Sequence, residues 1–314
     1  MELIRGLHNL KPVHNGCVAS IGNYDGLHRG HRSVLERLVE RGKSMEMPVT
    51  VVTFDPTPQE YFMGSDAPPR LMTLRDKVEV LERLGVDRAL ILWFNDDLAM
   101  MRPEDFVNRC LIEGLGVRHL IVGDDFRFGY RRQGDFGLLQ AMGREAGFEV
   151  QSMDGLLEAG ERISSSRIRA ALADGDIESA AKLFGHPFSI TGRVAHGDRR
   201  GRFWGFPTAN IKMCRRRLPL TGVYAVSVDI EGVGDAFPGV ANAGVRPTVD
   251  GVHPLLEVHL LDFSSQIYGH HIRVTLVHKL RDEQRFESEQ ALREQIAADV
   301  VETRALFEKM ATPS

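Results

Sequence analysis

The chain has 314 residues, 43% hydrophobic, 26% charged and 7% aromatic, which excludes a disordered or fibrous protein and allows two domains of roughly 150 residues each. A formal net charge of −4 argues against a nucleic-acid partner, whose binding domain is usually strongly basic. Cys17, Cys110 and Cys214 are far apart with no CxxC or Cys/His spacing, the start MELIRGLHNLKP has no leader-like core, and no apolar run approaches the ~20 residues of a membrane span, so a cytoplasmic protein without disulfides or a membrane partner is expected.

The first half alternates strand and helix. Cys17–Ile21 predicts a buried strand. A helix follows with Val34, Leu35, Leu38 and Val39 on one face and Gly42 as its stop. Val49–Phe54 is the next strand, ended by Pro56 and Pro58. Thr73 can cap a helix carrying Leu74, Val78, Leu81 and Leu84, closed by Gly85. Ala89–Phe94 predicts a third strand and His119–Val122 a fourth, with a helix between them that starts at Pro103. A helix from about Asp135 to Ala146, a strand from about Phe148 to Met153, and a helical connector over Asp174–Phe184 complete the series. Such alternation implies a parallel sheet covered on both faces, with ligands beyond the carboxyl ends of the strands.

Unusual segments fall at those ends. Gly22–His31 reads GNYDGLHRGH, with His28 and His31 three residues apart at a helix start. Free amides and the helix dipole favour phosphate there, and two imidazoles can donate hydrogen bonds to charge growing on phosphorus. The plainer reading is an ordinary strand–helix turn with two surface histidines. Ser164-Ser165-Ser166-Arg167-Ile168-Arg169 is either a capped helix start or a clamp for a polyphosphate. Gly123–Gly129 is either a solvated loop or a place where Phe126 and Phe128 stack on a planar ring with Arg127 on a phosphate.

Beyond about Gly185 the period changes. Ser189–Ala195, Val223–Ile230, Gly239–Ala243, Leu255–Leu261 and Ile272–Val277 are short, β-branched and separated by turn signals, which predicts five or six strands in an antiparallel barrel. Ser288 then begins a last helix with Leu292, Ile296, Val300 and Phe307 on one face. The run Gly192–Asn210 combines a glycine- and arginine-rich flap, including Gly201 and Arg202, with Pro207-Thr208-Ala209-Asn210. The flap suits ATP phosphates, and the oxygens of Thr208 and Asn210 suit Mg2+; a basic surface hairpin is the plain alternative. No Walker A loop is present. Glu257, alternating with apolar residues in Leu255–Leu261, either faces solvent or serves as a general base in a cleft.

GNYDGLHRGH, FDPTP, GDDFRFGYRRQGD and ISSSRIR, in that order, resemble the adenylyltransferase module of bacterial bifunctional FAD synthetases, within the nucleotidyltransferase superfamily. HGDRRGRFWGFPTANI, GVYAV, GVANAGVRPT, EVHLLDF, IYG and LRDEQRF resemble the riboflavin kinase module. The resemblance implies an α/β Rossmann-like nucleotidyltransferase domain over residues 1–185, then a six-stranded antiparallel barrel with a C-terminal helix over 186–314. It implies that ATP phosphorylates riboflavin to FMN and then adenylylates FMN to FAD, with Mg2+ required. In the first module His28 and His31 would stabilise the α-phosphate, Ser164, Ser165, Ser166 and Arg169 would hold the triphosphate, and Asn23 and Asp25 would shape the nucleotide pocket. Phe54, Pro56, Pro58, Phe126, Arg127 and Phe128 would border the flavin. In the second module Thr208 and Asn210 would bind magnesium and ATP, Glu257 would be the base for the riboflavin 5′-hydroxyl, and Arg281 would contact the flavin side. Thr57 departs from the histidine common in FDPxP, and Ser166 replaces a threonine while keeping the hydroxyl. Partners are expected to be small molecules only, on a monomer or a weak homo-oligomer.

Overall fold

The computed structural model describes residues 1–196, 205–248 and 251–311, with the side chains of 246–248 and 251–253 left aside. The chain forms two compact units: Met1–Pro68 with Leu74–Ser164, and Pro69–Thr73 with Ser165–Ser314.

The first unit is built on six parallel strands: β1 (Glu2–Arg5), β2 (Cys17–Ile21), β3 (Val49–Phe54), β4 (Arg88–Leu92), β5 (Val117–Gly123) and β6 (Glu149–Met153), in the spatial order β1-β4-β3-β2-β5-β6. The order reverses between β2 and β5, so the loop after β2 opens at the switch point of the sheet, where ligands bind in open α/β sheets. The helices are α1 (Arg29–Met45), α2 (Pro58–Met63), α3 (Leu74–Arg83), the short α4 (Asp96–Ala99) and α5 (Pro103–Phe106), and α6 (Phe136–Ala146). A π-helical stretch, Val107–Gly114, continues α5. One hydrophobic cluster, including Cys17, Ala19, Val52, Leu90, Val107, Cys110, Leu120 and Leu139, fills one side of the sheet.

Several strands stand where the alternation places them, and β2 and β3 match residue for residue. Three features differ. Gly42 does not stop α1: the helix runs on to Met45 and Glu46 takes the left-handed cap. A Cβ on Gly42 would lie 2.5 Å from Val49 Cγ2, so this glycine lets the helix lie close against β3. The edge strand β1, paired with β4, lies in a segment read only for the absence of a leader. The hairpin of β7 (Leu157–Glu158) and β8 (Glu161–Arg162) falls where the sequence offers no apolar alternation.

The second unit begins with α7 (Ser165–Ala173) and α8 (Ile177–Phe184). Its barrel consists of β9 (Ser189–Ala195), β10 (Ala209–Lys212), β11 (Gly222–Ile230), β12 (Gly234–Thr248), β13 (Gly251–Leu260) and β14 (His271–Arg281), closed in the order β10-β13-β12-β11-β14-β9 with every pair antiparallel. Tyr224, Val226, Ala241, Leu256, Val258 and Val274 are fully buried in this unit. β12 is longer than its sequence suggests because Pro238 and Pro247, which look like strand ends, sit inside its ladders. The last helix, α9 (Glu289–Ala311), buries Asp299 and Thr303, a more polar ridge than its leucine and isoleucine spacing predicts.

Candidate active sites

The first candidate site grows from the turn between β2 and α1. His28 is the N-cap of α1, and its Nδ1 accepts the backbone N–H of His31 at 3.3 Å. That bond leaves Nδ1 without a proton, so in the neutral ring Nε2 carries it and points a donor away from the cap. The two imidazoles stack with centroids 3.7 Å apart and planes 16° off parallel. Stacking at that distance favours uncharged rings. Burial, above all, holds His31 well below the ordinary imidazole pKa; a proton on His28 would oppose one on His31, and the charges of Lys77 and Arg162 push the same way. Two neutral, donor-bearing rings therefore stand at a helix N-terminus at the switch point.

The turn itself is braced from beneath. Ser20 donates to the Ile121 carbonyl at 2.6 Å, so Tyr24 donates to Ser20 Oγ at 2.5 Å. Tyr24 and Leu27 adopt left-handed backbone at φ 47° and 42°, unusual for residues with side chains, and both are buried. A Cβ on Gly30 would press on the His28 ring at 3.3 Å, so glycine is what lets both rings sit at one helix start. Asp25 is buried in this turn and the Asn23 carbonyl accepts from Lys77 Nζ at 2.6 Å.

Phe54, Pro56 and Pro58 follow β3, beside β2 in the sheet. The Asp55–Pro56 peptide is cis and Pro58 is the first residue of α2. Thr57 caps that helix: its hydroxyl accepts from Glu60 N–H at 3.3 Å, while Glu60 Oε2 accepts from Thr57 N–H at 2.9 Å. The residue that departs from the FDPxP pattern thus has a local structural role. Phe54, Tyr61 and Phe62 gather edge-on around Phe94, and Phe62 is 68% exposed. The sequence reading left out Tyr61, Phe62 and Phe94; adjacent aromatics just beyond Pro58 were the signal for the first two.

After β5, Phe126 and Phe128 stack at 5.5 Å, but Phe128 also packs against Phe106 and is only 8% exposed. Phe126 is the more available of the two. Arg127 reaches Asp135, the cap of α6, at 3.6 Å. Ser164 ends the first unit. Ser165 and Ser166 open α7 in the second, and Arg169 donates from Nε to the Pro69 carbonyl at 2.7 Å.

The second candidate site lies on the barrel. Asn210 stands directly opposite Glu257, and Glu257 directly opposite Asn242. The three belong to adjacent strands β10, β13 and β12, so a carboxylate is flanked by two carboxamides on one face, with Cβ atoms roughly 4.5–5.5 Å apart for each pair. Leu256 and Val258 are buried while Glu257 is half-buried, so this row faces away from the barrel core. Thr208, exposed, is two residues from Asn210. Asn242 was missed because only strand register brings it beside Glu257. Arg281 is held by Asp299 of α9 through three contacts of 2.8–3.2 Å, and its Nη1 donates to the Asp282 carbonyl. Gly201 and Arg202 of the flap lie outside the described residues.

The first half, residues 10–167, matches the family model described as FAD synthetase, and residues 184–307 match riboflavin kinase. The chain is 51% identical to the bifunctional riboflavin kinase/FMN adenylyltransferase of Pseudomonas fluorescens over 98% of each chain. It is 49% identical to that of Escherichia coli K12 over the same shares, and 46% identical to that of Haemophilus influenzae over 98% of this chain and 99% of that one. A crystal structure titled macrolide-efflux protein from Streptococcus pneumoniae superposes with a TM-score of 0.81 at 28% identity, over 97% of this chain and 99% of that one. That likeness covers both units; no helix among the described residues is long and apolar enough to cross a membrane. The chain belongs to the bifunctional riboflavin kinase/FMN adenylyltransferase family.

Proposed function

We propose that this member of the family makes FMN from riboflavin and ATP on its barrel, and FAD and pyrophosphate from FMN and a second ATP at the switch point of its sheet. The observation that carries the second half is the stacked, neutral His28–His31 pair at the N-terminus of α1. In adenylyl transfer an FMN phosphate oxygen attacks the α-phosphorus of ATP and the bond to pyrophosphate breaks. His28 donates from Nε2, and His31 from its protonated nitrogen, to the α-phosphate oxygens as charge builds on them. Asn23 and Asp25 shape the nucleotide side of the pocket. Ser164, Ser165, Ser166 and Arg169 are our candidates for the triphosphate, on hydroxyl and guanidinium chemistry. Phe54, Pro56, Pro58, Phe126, Arg127 and Phe128 border the flavin, with the exposed Phe62 added to that set.

On the barrel the riboflavin 5′-hydroxyl attacks the γ-phosphorus, its proton passes to Glu257, and ADP leaves. Thr208 and Asn210 would hold Mg2+ beside the ATP phosphates; an all-oxygen donor set of hydroxyl, carboxamide and neighbouring carboxylate fits that hard cation. Bound there, the ion would neutralise phosphate charge. Gly201 and Arg202 would cover the phosphates. Arg281, engaged by Asp299, contacts the flavin side. A net charge of −4 and thiols outside any disulfide suit a cytoplasmic enzyme with small-molecule partners, acting as a monomer or a weak oligomer.

The test is incubation with riboflavin, ATP and Mg2+, with riboflavin, FMN and FAD separated over time. FMN rising first and then giving FAD is expected. FMN without FAD sinks the adenylyl-transfer half, and flavin binding without any product sinks both.

A further inference from the structure

Lys77 is one of three buried residues of α3, with Asp76 and Leu81. It is 5% exposed, and two of its bonds go to the turn after β2 and to the penultimate residue of β3. Nζ donates to the Asn23 carbonyl at 2.6 Å and to Thr53 Oγ1 at 3.2 Å. Thr53 in turn donates to the same Asn23 carbonyl at 3.3 Å, closing a three-membered set. Asn23 belongs to the turn that carries His28 and His31, whereas Thr53 immediately precedes the loop Phe54–Pro58.

We propose that Lys77 is a positioning residue for adenylyl transfer, tying the nucleotide turn to the flavin loop through Asn23 and Thr53 so that the two substrates meet in register. The inference rests on the assignment of those loops made above. Transfer between two bound substrates depends on holding them at near-attack geometry, and a misplacement of about 1 Å can cost about 100-fold in rate. A single ammonium bonded to the turn and to the end of β3 that leads into the flavin loop fixes the separation of the two as neither could alone. Its charge also stands near enough to His31 to help keep that ring neutral.

The experiment compares Lys77→Met, Lys77→Arg, Thr53→Val and His31→Ala in the full chain, measuring FMN adenylylation and riboflavin phosphorylation on each sample. Lys77→Met is expected to lower adenylylation about 100-fold, to raise KM for FMN and for ATP together, and to leave phosphorylation unchanged. The His31 imidazole, followed by NMR, should titrate at higher pH in Lys77→Met, and Lys77→Arg should restore both the titration and part of the rate. Full adenylylation by Lys77→Met overturns the proposal, as does a loss with the His31 titration unmoved. If Lys77→Met does not fold, Thr53→Val decides: reduced adenylylation supports the tie and wild-type adenylylation overturns it. A fully active His31→Ala would instead sink the histidine-pair assignment, whatever Lys77 does.

Discussion

Nη2 of Arg281 lies 2.8 Å from Oδ2 of Asp299, and Nε lies 3.0 and 3.2 Å from the two oxygens of the same carboxylate. Asp299 is 3% exposed and also accepts from Gln295 at 2.9 Å, so this pair pins α9 to the end of β14. Removing Asp299 leaves Arg281, a fifth exposed, without its carboxylate, at a cost below the roughly 3–5 kcal/mol of a fully buried pair. Asp299→Ala is therefore expected to lower the melting temperature of the barrel unit and to weaken phosphorylation, with adenylylation at low temperature kept. Thermal denaturation followed beside both assays checks this; a variant as stable as wild type would show that the pair does not anchor α9.

The row Asn210, Glu257, Asn242 makes a second prediction. Glu257→Gln removes the proposed base and should slow phosphorylation about 10²–10⁴-fold. Asn242→Ala should slow it less, by loosening the carboxylate. In a double-mutant cycle the Asn242→Ala effect should largely vanish in the Glu257→Gln background, with an interaction of about 0.5–3 kcal/mol. Strict additivity would mean that Asn242 does not work through Glu257.

Thiol reactivity should separate the three cysteines. Burial pushes the Cys17 thiol up to about 11 and raises Cys110 further, whereas Cys214 is exposed. Thiolate is the reactive form. An aromatic disulfide reagent at neutral pH is expected to titrate Cys214 quickly and the other two only on unfolding. Rapid reaction of all three in the native protein would contradict the buried placement.

Acid sensitivity follows from His31. Its folded-state pKa lies below its unfolded value because burial and nearby cations oppose the charged ring. As pH falls below the unfolded value of about 6.5 the unfolded chain binds a proton that the fold refuses, so stability drops in that direction and is unaffected above it. Melting of the first unit should fall more steeply between about pH 6.5 and 5 in wild type than in His31→Asn. Parallel slopes would mean that the ring takes up its proton in the folded state as readily as in the unfolded chain.

Much of the candidate site was legible because its residues fall in short runs. A glycine-rich turn between a five-residue apolar strand and an amphipathic helix places His28 and His31 without reference to anything distant, since both lie on one helix turn. Helix caps behave the same way: Asp135 and Ser288 accept from Leu138 and Ala291 as their positions suggest. Gly42 shows the limit, because a glycine that ends a helix and one that admits a neighbouring strand look alike until Val49 is seen 2.5 Å from where its Cβ would be.

Local spacing and alternation thus determined by themselves the two-part chain, its parallel sheet and barrel, and the histidine pair, because these depend on periods of two and 3.6 residues and on turn residues close in sequence. The tertiary structure alone decided which distant residues serve them. Lys77 reaches Asn23 across 54 positions, Asn242 meets Glu257 only through the β12–β13 register, and Arg281 finds its partner on a later helix. Strand register and the burial of a charge are set by packing of the whole unit, and no local period encodes them.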